Sequence, residues 1–129
     1  MSPARTALVA DDDAESRRLL VRLLEQDGWR VLEASTGKAV LEISEREPLD
    51  LILLDLRMPG PVDGLRAILL LRKNQALRGL PVIAVSASPY KEYRQRAFAA
   101  GCTTFLSKPV NLAELRKQIE QLTPPKESG

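Results

Sequence analysis

Carboxylates are concentrated directly after a short apolar run near the amino end of the chain, where residues 8–13 read LVADDD. Like charges placed side by side repel one another, so such a group is unfavourable unless something compensates for it. A small, hard divalent cation such as magnesium does so, because it binds one or two carboxylates together with water or phosphate oxygens. Asp11 and Asp12 are therefore the first candidate magnesium ligands.

The same aspartates also suit the start of a helix. Asp12 followed by Glu15 resembles a capping box, and acidic residues stabilise the first turn of a helix. For Asp13, capping or simple exposure is the favoured interpretation. For Asp11 and Asp12, metal binding is favoured, because a third carboxylate, Asp55, is expected to join them.

Asp55 follows the apolar segment LILL. A charged side chain on such an apolar strand is unfavourable, so a functional role is the favoured explanation for it. A carboxylate can accept a phosphoryl group and form an aspartyl phosphate. Such transfer depends mainly on positioning and on neutralising the phosphoryl oxygens. A cation and a lysine would meet that charge, and a hydroxyl would donate a hydrogen bond. Ser86 and Lys108 are of the required types. Taken alone, however, Ser86 is also typical of an ordinary strand-end hydroxyl, and Lys108 of a solvated surface charge.

The segments that position these side chains alternate between short apolar runs typical of strands and the helical spacing of apolar residues. Five alternating strands and helices predict a parallel sheet covered on both faces, and right-handed crossovers favour the flavodoxin-like (βα)5 order 2-1-3-4-5. Short apolar runs predict strands at 6–10, 29–34, 49–56, 80–87 and 103–107, and helical periodicity predicts helices at 14–27, 36–46, 65–75, 89–100 and 111–122.

This order brings the candidate residues to one edge of the sheet. Ligands of open parallel sheets bind outside the carboxyl ends of the strands, near the switch in strand order. That switch lies between strands one and three, which end at the LVADDD aspartates and at Asp55. Strands four and five end at Ser86 and Lys108, so all these side chains are expected to converge.

Composition excludes several other chemistries. The 129 residues fit one domain, 44% are apolar, and the formal net charge of +2 argues neither for nor against nucleic acid. The absence of histidine removes histidine-dependent nucleophiles and metal sites. No apolar run approaches the length of a membrane span. The single cysteine, Cys102, suits a reducing cytoplasm and is interpreted as a small buried apolar residue.

Taken together, the segments resemble the receiver domain of bacterial two-component response regulators, of the single-domain, chemotaxis-regulator-like kind. The resemblance covers residues 5–122 and is carried by LVADDD, LILLDLRMPGPVDG, LPVIAVSAS and AAGCTTFLSKPV. It implies a receiver domain over residues 1–124 and a flexible tail over 125–129. It also implies a phosphoprotein of a phosphorelay that takes a phosphoryl group from a histidine kinase phosphohistidine and uses magnesium as its cofactor.

Individual roles follow from the resemblance. Asp55 would be the phosphoacceptor, Asp12 a direct magnesium ligand and Asp11 a ligand acting mainly through water. The remaining implied roles are the backbone carbonyl of Arg57 as a metal ligand, Ser86 as the switch hydroxyl, Lys108 as the partner of the phosphoryl group, Phe105 as the aromatic switch residue and Pro109 as a typically cis proline.

Three features depart from the family pattern. Gly60, Pro61 and Val62 form a segment one residue longer than usual between Pro59 and the Asp-Gly pair, close to the phosphorylation site. Arg57 occupies a position that often tunes dephosphorylation. Phe105 lacks the hydroxyl of the common tyrosine, so its switching could not use that group's hydrogen bond.

The resemblance also implies partners. These are a sensor histidine kinase or a histidine phosphotransfer protein, and a downstream protein effector that contacts residues 89–122. Within that range Tyr90, Lys91, Tyr93 and Arg94 are candidate contacts. No direct nucleic acid or membrane contact is expected, and a homodimer is a further option. The chain is not expected to be an enzyme beyond catalysing its own phosphorylation and dephosphorylation.

Alternatives remain at this stage. The main one is a receiver-like interaction module that works without phosphorylation, which only the longer loop favours. A haloacid-dehalogenase-type phosphatase would require an aspartate where Arg57 stands, and STGKA lacks the residues of a nucleotide-binding P-loop. The third helix is apolar around much of its circumference at Ile68, Leu69, Leu70 and Leu71, which favours deep burial over a further contact surface.

Overall fold

The computed structural model describes residues 4–123 and contains a five-stranded parallel sheet. Its strands lie in the order β2-β1-β3-β4-β5, which confirms the predicted flavodoxin-like topology. The predicted tail, 125–129, lies outside the described residues, and the boundary at residue 124 stays a prediction. The strands are β1 Thr6–Ala10, β2 Arg30–Ala34, β3 Leu51–Asp55, β4 Val82–Ser86 and β5 Thr104–Ser107.

In the described part of the chain, five α-helices and one short 3-10 helix, η1, connect and follow the strands. Their bounds are α1 Ala14–Gln26, α2 Gly37–Arg46, α3 Gly64–Lys73, η1 Gln75–Leu77, α4 Lys91–Ala100 and α5 Leu112–Leu122. No helix among residues 4–123 has the length and apolar character needed to cross a membrane.

Apolar side chains on both faces of the sheet divide the core into two layers. Strands β1, β3 and β4 are buried along their whole length, as their nearly continuous apolar sequences predict. Because neighbouring residues of a strand point to opposite faces, Leu8 packs on the α2–α3–α4 side whereas Val9 packs on the α1–α5 side. The central strands β1, β3 and β4 therefore lie between two packed layers, and their carboxyl ends share one edge of the sheet.

Polar side chains start four of the five α-helices. Asp13 accepts a hydrogen bond from the backbone N–H of Ser16, so Asp13 and not Asp12 caps α1. The capping-box alternative for Asp12 is therefore wrong. The predicted cap of α5 by Asn111 is confirmed by its bond from Glu114 N–H. Gly101 ends α4 in the left-handed conformation, with φ of 118°.

Helix α3 differs from its prediction in two respects. It ends at Lys73, because Asn74 is extended and its side chain accepts a hydrogen bond from Ala76 N–H at the start of η1. Its apolar residues are also not all buried, since Ile68 is fully buried whereas Leu69 is 48% exposed. Deep burial of this apolar run is thus wrong for Leu69.

Candidate functional site

Four strand ends meet at one edge of the sheet, as the topology requires. Asp11 directly follows β1, Asp55 is the last residue of β3, and Ser86 is the last residue of β4. Lys108 follows β5 directly, and its backbone N–H donates to the carbonyl of Ser86 over 2.8 Å. The convergence predicted from the sequence is therefore present in the fold.

Asp11, Asp12 and Asp55 form an acidic cluster. Each contributes one carboxylate oxygen, and these oxygens lie within 4.8 Å of one another. Asp11 and Asp55 are buried, with 1% and 5% of their surface exposed, whereas Asp12 is exposed to solvent. Carboxylate oxygens with one open side are the donor set that magnesium prefers, because this ion keeps several waters. The residues present thus fit a magnesium ion.

Lys108 supplies a positive charge inside the acidic cluster. Its Nζ donates to Asp55 Oδ2 over 2.8 Å and to Asp11 Oδ2 over 3.0 Å. Burial alone would lower the pKa of the Lys108 ammonium, but its hydrogen bonds to Asp55 and Asp11 outweigh burial and raise that pKa. Lys108 therefore stays charged across the physiological range and bridges the ends of β1 and β3.

The surroundings of Asp55 raise the pKa of its carboxylate. Burial raises its pKa above the ordinary value of 3.8, and the charge of Asp11 acts in the same direction. Hydrogen bonds from Lys108 and from the backbone N–H of Arg57 oppose the rise without cancelling it. The charge of Asp55 is thus less well solvated than that of a surface aspartate, which favours a carboxylate that reacts or binds a cation.

Backbone donors fix the orientation of both buried carboxylates. The N–H of Asp13 donates to Asp11 Oδ1, and the N–H of Arg57 donates to Asp55 Oδ1, both over 2.9 Å. Each carboxylate thus has one oxygen on the backbone and the other on Lys108. The side chain of Arg57 is exposed, and the role of its carbonyl as a metal ligand stays a prediction.

Ser86 ends β4 and Phe105 lies on the neighbouring strand β5. Among the hydrogen bonds of residues 4–123, the Ser86 hydroxyl makes none to the carboxylates of the cluster. Ser86 is buried, and its Oγ accepts a hydrogen bond from Ser88 N–H over 3.1 Å. Phe105 is also buried, and the guanidinium of Arg94 lies 5.8 Å from the centre of its ring. The peptide bond between Lys108 and Pro109 is cis, as the sequence resemblance implied.

Two glycines allow close packing around the end of β3. At Gly64, a Cβ atom would lie 2.4 Å from the Cα of Leu56 and 2.6 Å from the carbonyl oxygen of Asp55. At Gly37, it would lie 2.1 Å from the carbonyl oxygen of Val62. The longer Gly60–Val62 segment is therefore packed against the start of α2, and α3 begins directly beneath Asp55.

Arg17 also contributes to this region, although no sequence motif assigns it a role. Its Nη1 donates to the carbonyl of Asp11 over 2.7 Å, and its Nε pairs with Glu33 over 2.9 Å. Arg17 thus ties α1 to the loop after β1 and to the end of β2. Its position one helical turn after the cap of α1 was the only sequence feature that could have pointed to this role. The carbonyl that it contacts is seen only in the fold.

Comparison with known proteins identifies relatives over nearly the whole chain. A family model described as the response regulator receiver domain matches residues 7–120. The sensory/regulatory protein RpfC of Xanthomonas campestris pv. campestris is 38% identical over 117 residues, which are 89% of this chain. The chain spans only 16% of the length of RpfC.

Solved structures agree with this assignment. The receiver domain of sensor histidine kinase PA1611 from Pseudomonas aeruginosa, with a magnesium ion coordinated in its active-site cleft, superposes with a TM-score of 0.87 at 27% identity. The match covers 95% of this chain and all of that one. The receiver domain of Ssk1 from Saccharomyces cerevisiae, solved with the histidine phosphotransfer protein Ypd1, superposes with a TM-score of 0.84 at 25% identity, covering 95% and 91% of the two chains.

Proposed function

The chain belongs to the response regulator receiver domain family, and on that premise we propose that it accepts a phosphoryl group on Asp55 from a phosphohistidine and thereby switches a protein-interaction surface. The contact between Lys108 and Asp55 carries this proposal, because it places a cation 2.8 Å from the carboxylate that would react. Asp55 thus combines limited solvation with a neighbouring positive charge, as a phosphoacceptor requires.

A magnesium ion would be held by Asp11, Asp12, Asp55 and the backbone carbonyl of Arg57. When bound, it supplies positive charge that offsets the carboxylates and the incoming phosphoryl oxygens. The arrangement of three carboxylates within 4.8 Å supports this assignment, and the related PA1611 receiver domain was solved with magnesium in its cleft.

The transfer step itself is a substitution at phosphorus. An oxygen of Asp55 forms the new O–P bond as the P–N bond to the donor imidazole breaks, and the departing imidazole nitrogen keeps the bonding electron pair and is neutralised by a proton. Lys108 then pairs with a phosphoryl oxygen in place of the carboxylate. Since Lys108 already lies between Asp11 and Asp55, only a small displacement of its ammonium is needed.

The switch would follow from the new negative charge at Asp55. Ser86 would exchange its present bond from Ser88 N–H for a hydrogen bond donated to the phosphoryl group. A change of this kind at the end of β4 would be transmitted to Phe105 on the neighbouring strand β5. Helix α4 starts shortly after Ser86, so residues 89–122 are the proposed output surface.

The proposed partners are a histidine kinase or a histidine phosphotransfer protein, a downstream protein effector, and as a further option a second copy of the chain. The complex of the related Ssk1 receiver domain with Ypd1 supports the first of these. A cytoplasmic location is part of the proposal and rests on the family's role together with the free thiol of Cys102, which suits a reducing compartment.

The proposal is tested by intact-mass spectrometry after incubation with phosphoramidate and magnesium. Wild type is expected to gain the mass of one phosphoryl group, and Asp55→Asn is expected to gain none. Asp13→Asn is the matched control, because Asp13 neighbours the acidic cluster but caps α1. Folded wild-type protein without any adduct would contradict the proposal and favour the phosphorylation-independent interaction module.

A further inference from the structure

A groove of about 470 Å³ lies between α3 and α4, away from the acidic cluster. Its floor is largely apolar and includes Leu65 and Leu69 from α3 with Ala99 and Ala100 from α4. Leu69 is 48% exposed, although it belongs to the most apolar helix segment of the chain. An exposed leucine in a concave apolar site is favourable for binding, because a partner can remove its surface from water.

Two arginines flank this groove, Arg66 on α3 and Arg96 on α4. Both are exposed, and neither forms an ion pair within the part of the chain that the structure describes. Among residues 4–123, Asp63 is the one carboxylate that lines the groove, and it accepts a hydrogen bond from the backbone N–H of Arg66 as the cap of α3. The groove therefore presents two guanidinium groups without carboxylate partners.

The two helices that flank the groove, α3 and α4, also carry a net positive charge. Helix α3, from Gly64 to Lys73, contains three basic residues and no acidic one. Helix α4 contains Lys91, Arg94 and Arg96 against the single acid Glu92. A partner with carboxylates next to an apolar side chain would match the groove in two ways. Its carboxylates would complement the positive charge, and its apolar side chain would pack on the apolar lining.

From this combination we infer that the α3–α4 groove binds an acidic amphipathic protein segment. Apolar side chains of the segment occupy the floor around Leu69, and its carboxylates pair with Arg66 and Arg96. An oligonucleotide is a poorer fit, because within residues 4–123 Tyr93 is the one aromatic side chain that lines the groove and two arginines flank it. Single-stranded nucleic acid needs a longer cationic track with several stacking surfaces. The inference does not require a phosphoryl group on Asp55, although α4 also belongs to the proposed output surface, residues 89–122.

The longer loop after Asp55 takes part in this surface. Pro61, which belongs to the Gly60–Val62 segment, lines the groove together with Asp63. Tyr93 lines it from α4 and also borders a second, smaller groove that includes Arg57 and Ser86. Pro61 of the longer segment therefore contributes to the lining of the groove.

The test uses the unphosphorylated chain and a designed peptide probe. The probe is a fluorescein-labelled amphipathic helix with leucines at helical spacing and glutamates on its other positions. Two control peptides carry lysines for the glutamates or serines for the leucines. Fluorescence anisotropy gives the affinity, and amide chemical-shift changes in the ¹⁵N-labelled protein locate the site.

The wild-type chain is expected to bind the acidic probe, with shifts concentrated in α3 and α4, and to bind neither control peptide comparably. Charge reversal in Arg66→Glu/Arg96→Glu is expected to weaken binding about tenfold and to favour the lysine peptide instead. Leu69→Ser is expected to weaken binding without changing the net charge. Arg22→Glu, an exposed arginine on α1, is the matched control and should bind as wild type does.

Several results would overturn the inference. These are no binding of the acidic probe, shifts confined to another surface, or equal weakening by Arg22→Glu, which would indicate nonspecific charge attraction. Concentration-dependent shifts in α3 and α4 without any peptide would assign the groove to a second copy of the chain. Tighter binding of a single-stranded oligonucleotide at the same residues would assign it to nucleic acid. Because the substituted residues are exposed, retained circular dichroism is expected for every variant.

Discussion

Replacing Lys108 with methionine tests how the acidic cluster is held together. Methionine keeps much of the apolar stem of lysine but removes its ammonium, which lies 2.8 Å from Asp55 and 3.0 Å from Asp11. At an effective dielectric constant of about 20, each of these contacts corresponds to a Coulomb attraction of about 6 kcal/mol. The cost of removing the ammonium from water offsets most of this attraction, since its side chain is only 22% exposed.

The variant leaves two buried carboxylates without a counter-ion. Breaking such a buried pair costs about 3–5 kcal/mol, because the remaining charge is uncompensated. Asp11 and Asp55 each keep one backbone hydrogen bond, so we expect a loss of about 3 kcal/mol in the free energy of unfolding without magnesium. Saturating magnesium should remove most of this difference, because a bound cation replaces the lost positive charge.

The assay is urea denaturation followed by the fluorescence of Trp29, the only tryptophan of the chain. Trp29 is 5% exposed and belongs to the core layer under α1 and α5, so its emission reports global unfolding. Lys117→Met, an exposed lysine on α5, is the matched control and should change little. A Lys108→Met variant that is as stable as wild type, or equally destabilised with and without magnesium, would refute the reasoning.

Three further predictions concern the surroundings of the cluster. Asp13→Ala should slightly lower the thermal midpoint, because α1 loses its bond to Ser16 N–H, but should leave magnesium affinity unchanged in a calorimetric titration. Gly37→Ala should lower the free energy of unfolding by about 2 kcal/mol in urea denaturation, since its Cβ would meet the carbonyl of Val62. The pKa of Asp55 in the folded state is raised above its ordinary value of 3.8, so folding favours the protonated carboxyl. The resulting contribution to the free energy of unfolding is fully present below pH 3.8 and is lost as the pH rises through the folded-state pKa. Without magnesium, the stability of Asp55→Asn relative to wild type should therefore increase from acidic to neutral pH, and a constant difference would contradict this.

The fold was largely predictable because its signals are local and strong. The segment TALVA gives β1 with the predicted bounds, Thr6–Ala10, and the apolar runs around Leu53 and Ile83 give two further fully buried strands. The first polar residue after each apolar run then indicated where the strand ends. The topology needed only the alternation of strands and helices with right-handed crossovers.

Details that depend on packing were not predictable from the pattern. The sequence favoured capping or simple exposure for Asp13, and the structure shows capping. The pattern could not decide between these two, because the cap position depends on where the chain leaves β1. Periodicity likewise could not show that Leu69 faces a groove, since burial depends on how closely α4 approaches α3. The contacts of Arg17 span separate elements and have no counterpart in residue spacing.

The central claim is that Asp55 is the residue that receives the phosphoryl group. It is tested most directly by treating the protein with phosphoramidate, with and without magnesium, reducing any acyl phosphate with borohydride and locating the reduced residue by peptide mass spectrometry. We predict reduction at Asp55 alone and only in the magnesium-treated sample. Reduction at Asp11 or Asp12, or an unmodified Asp55 in folded protein with magnesium present, would contradict the account.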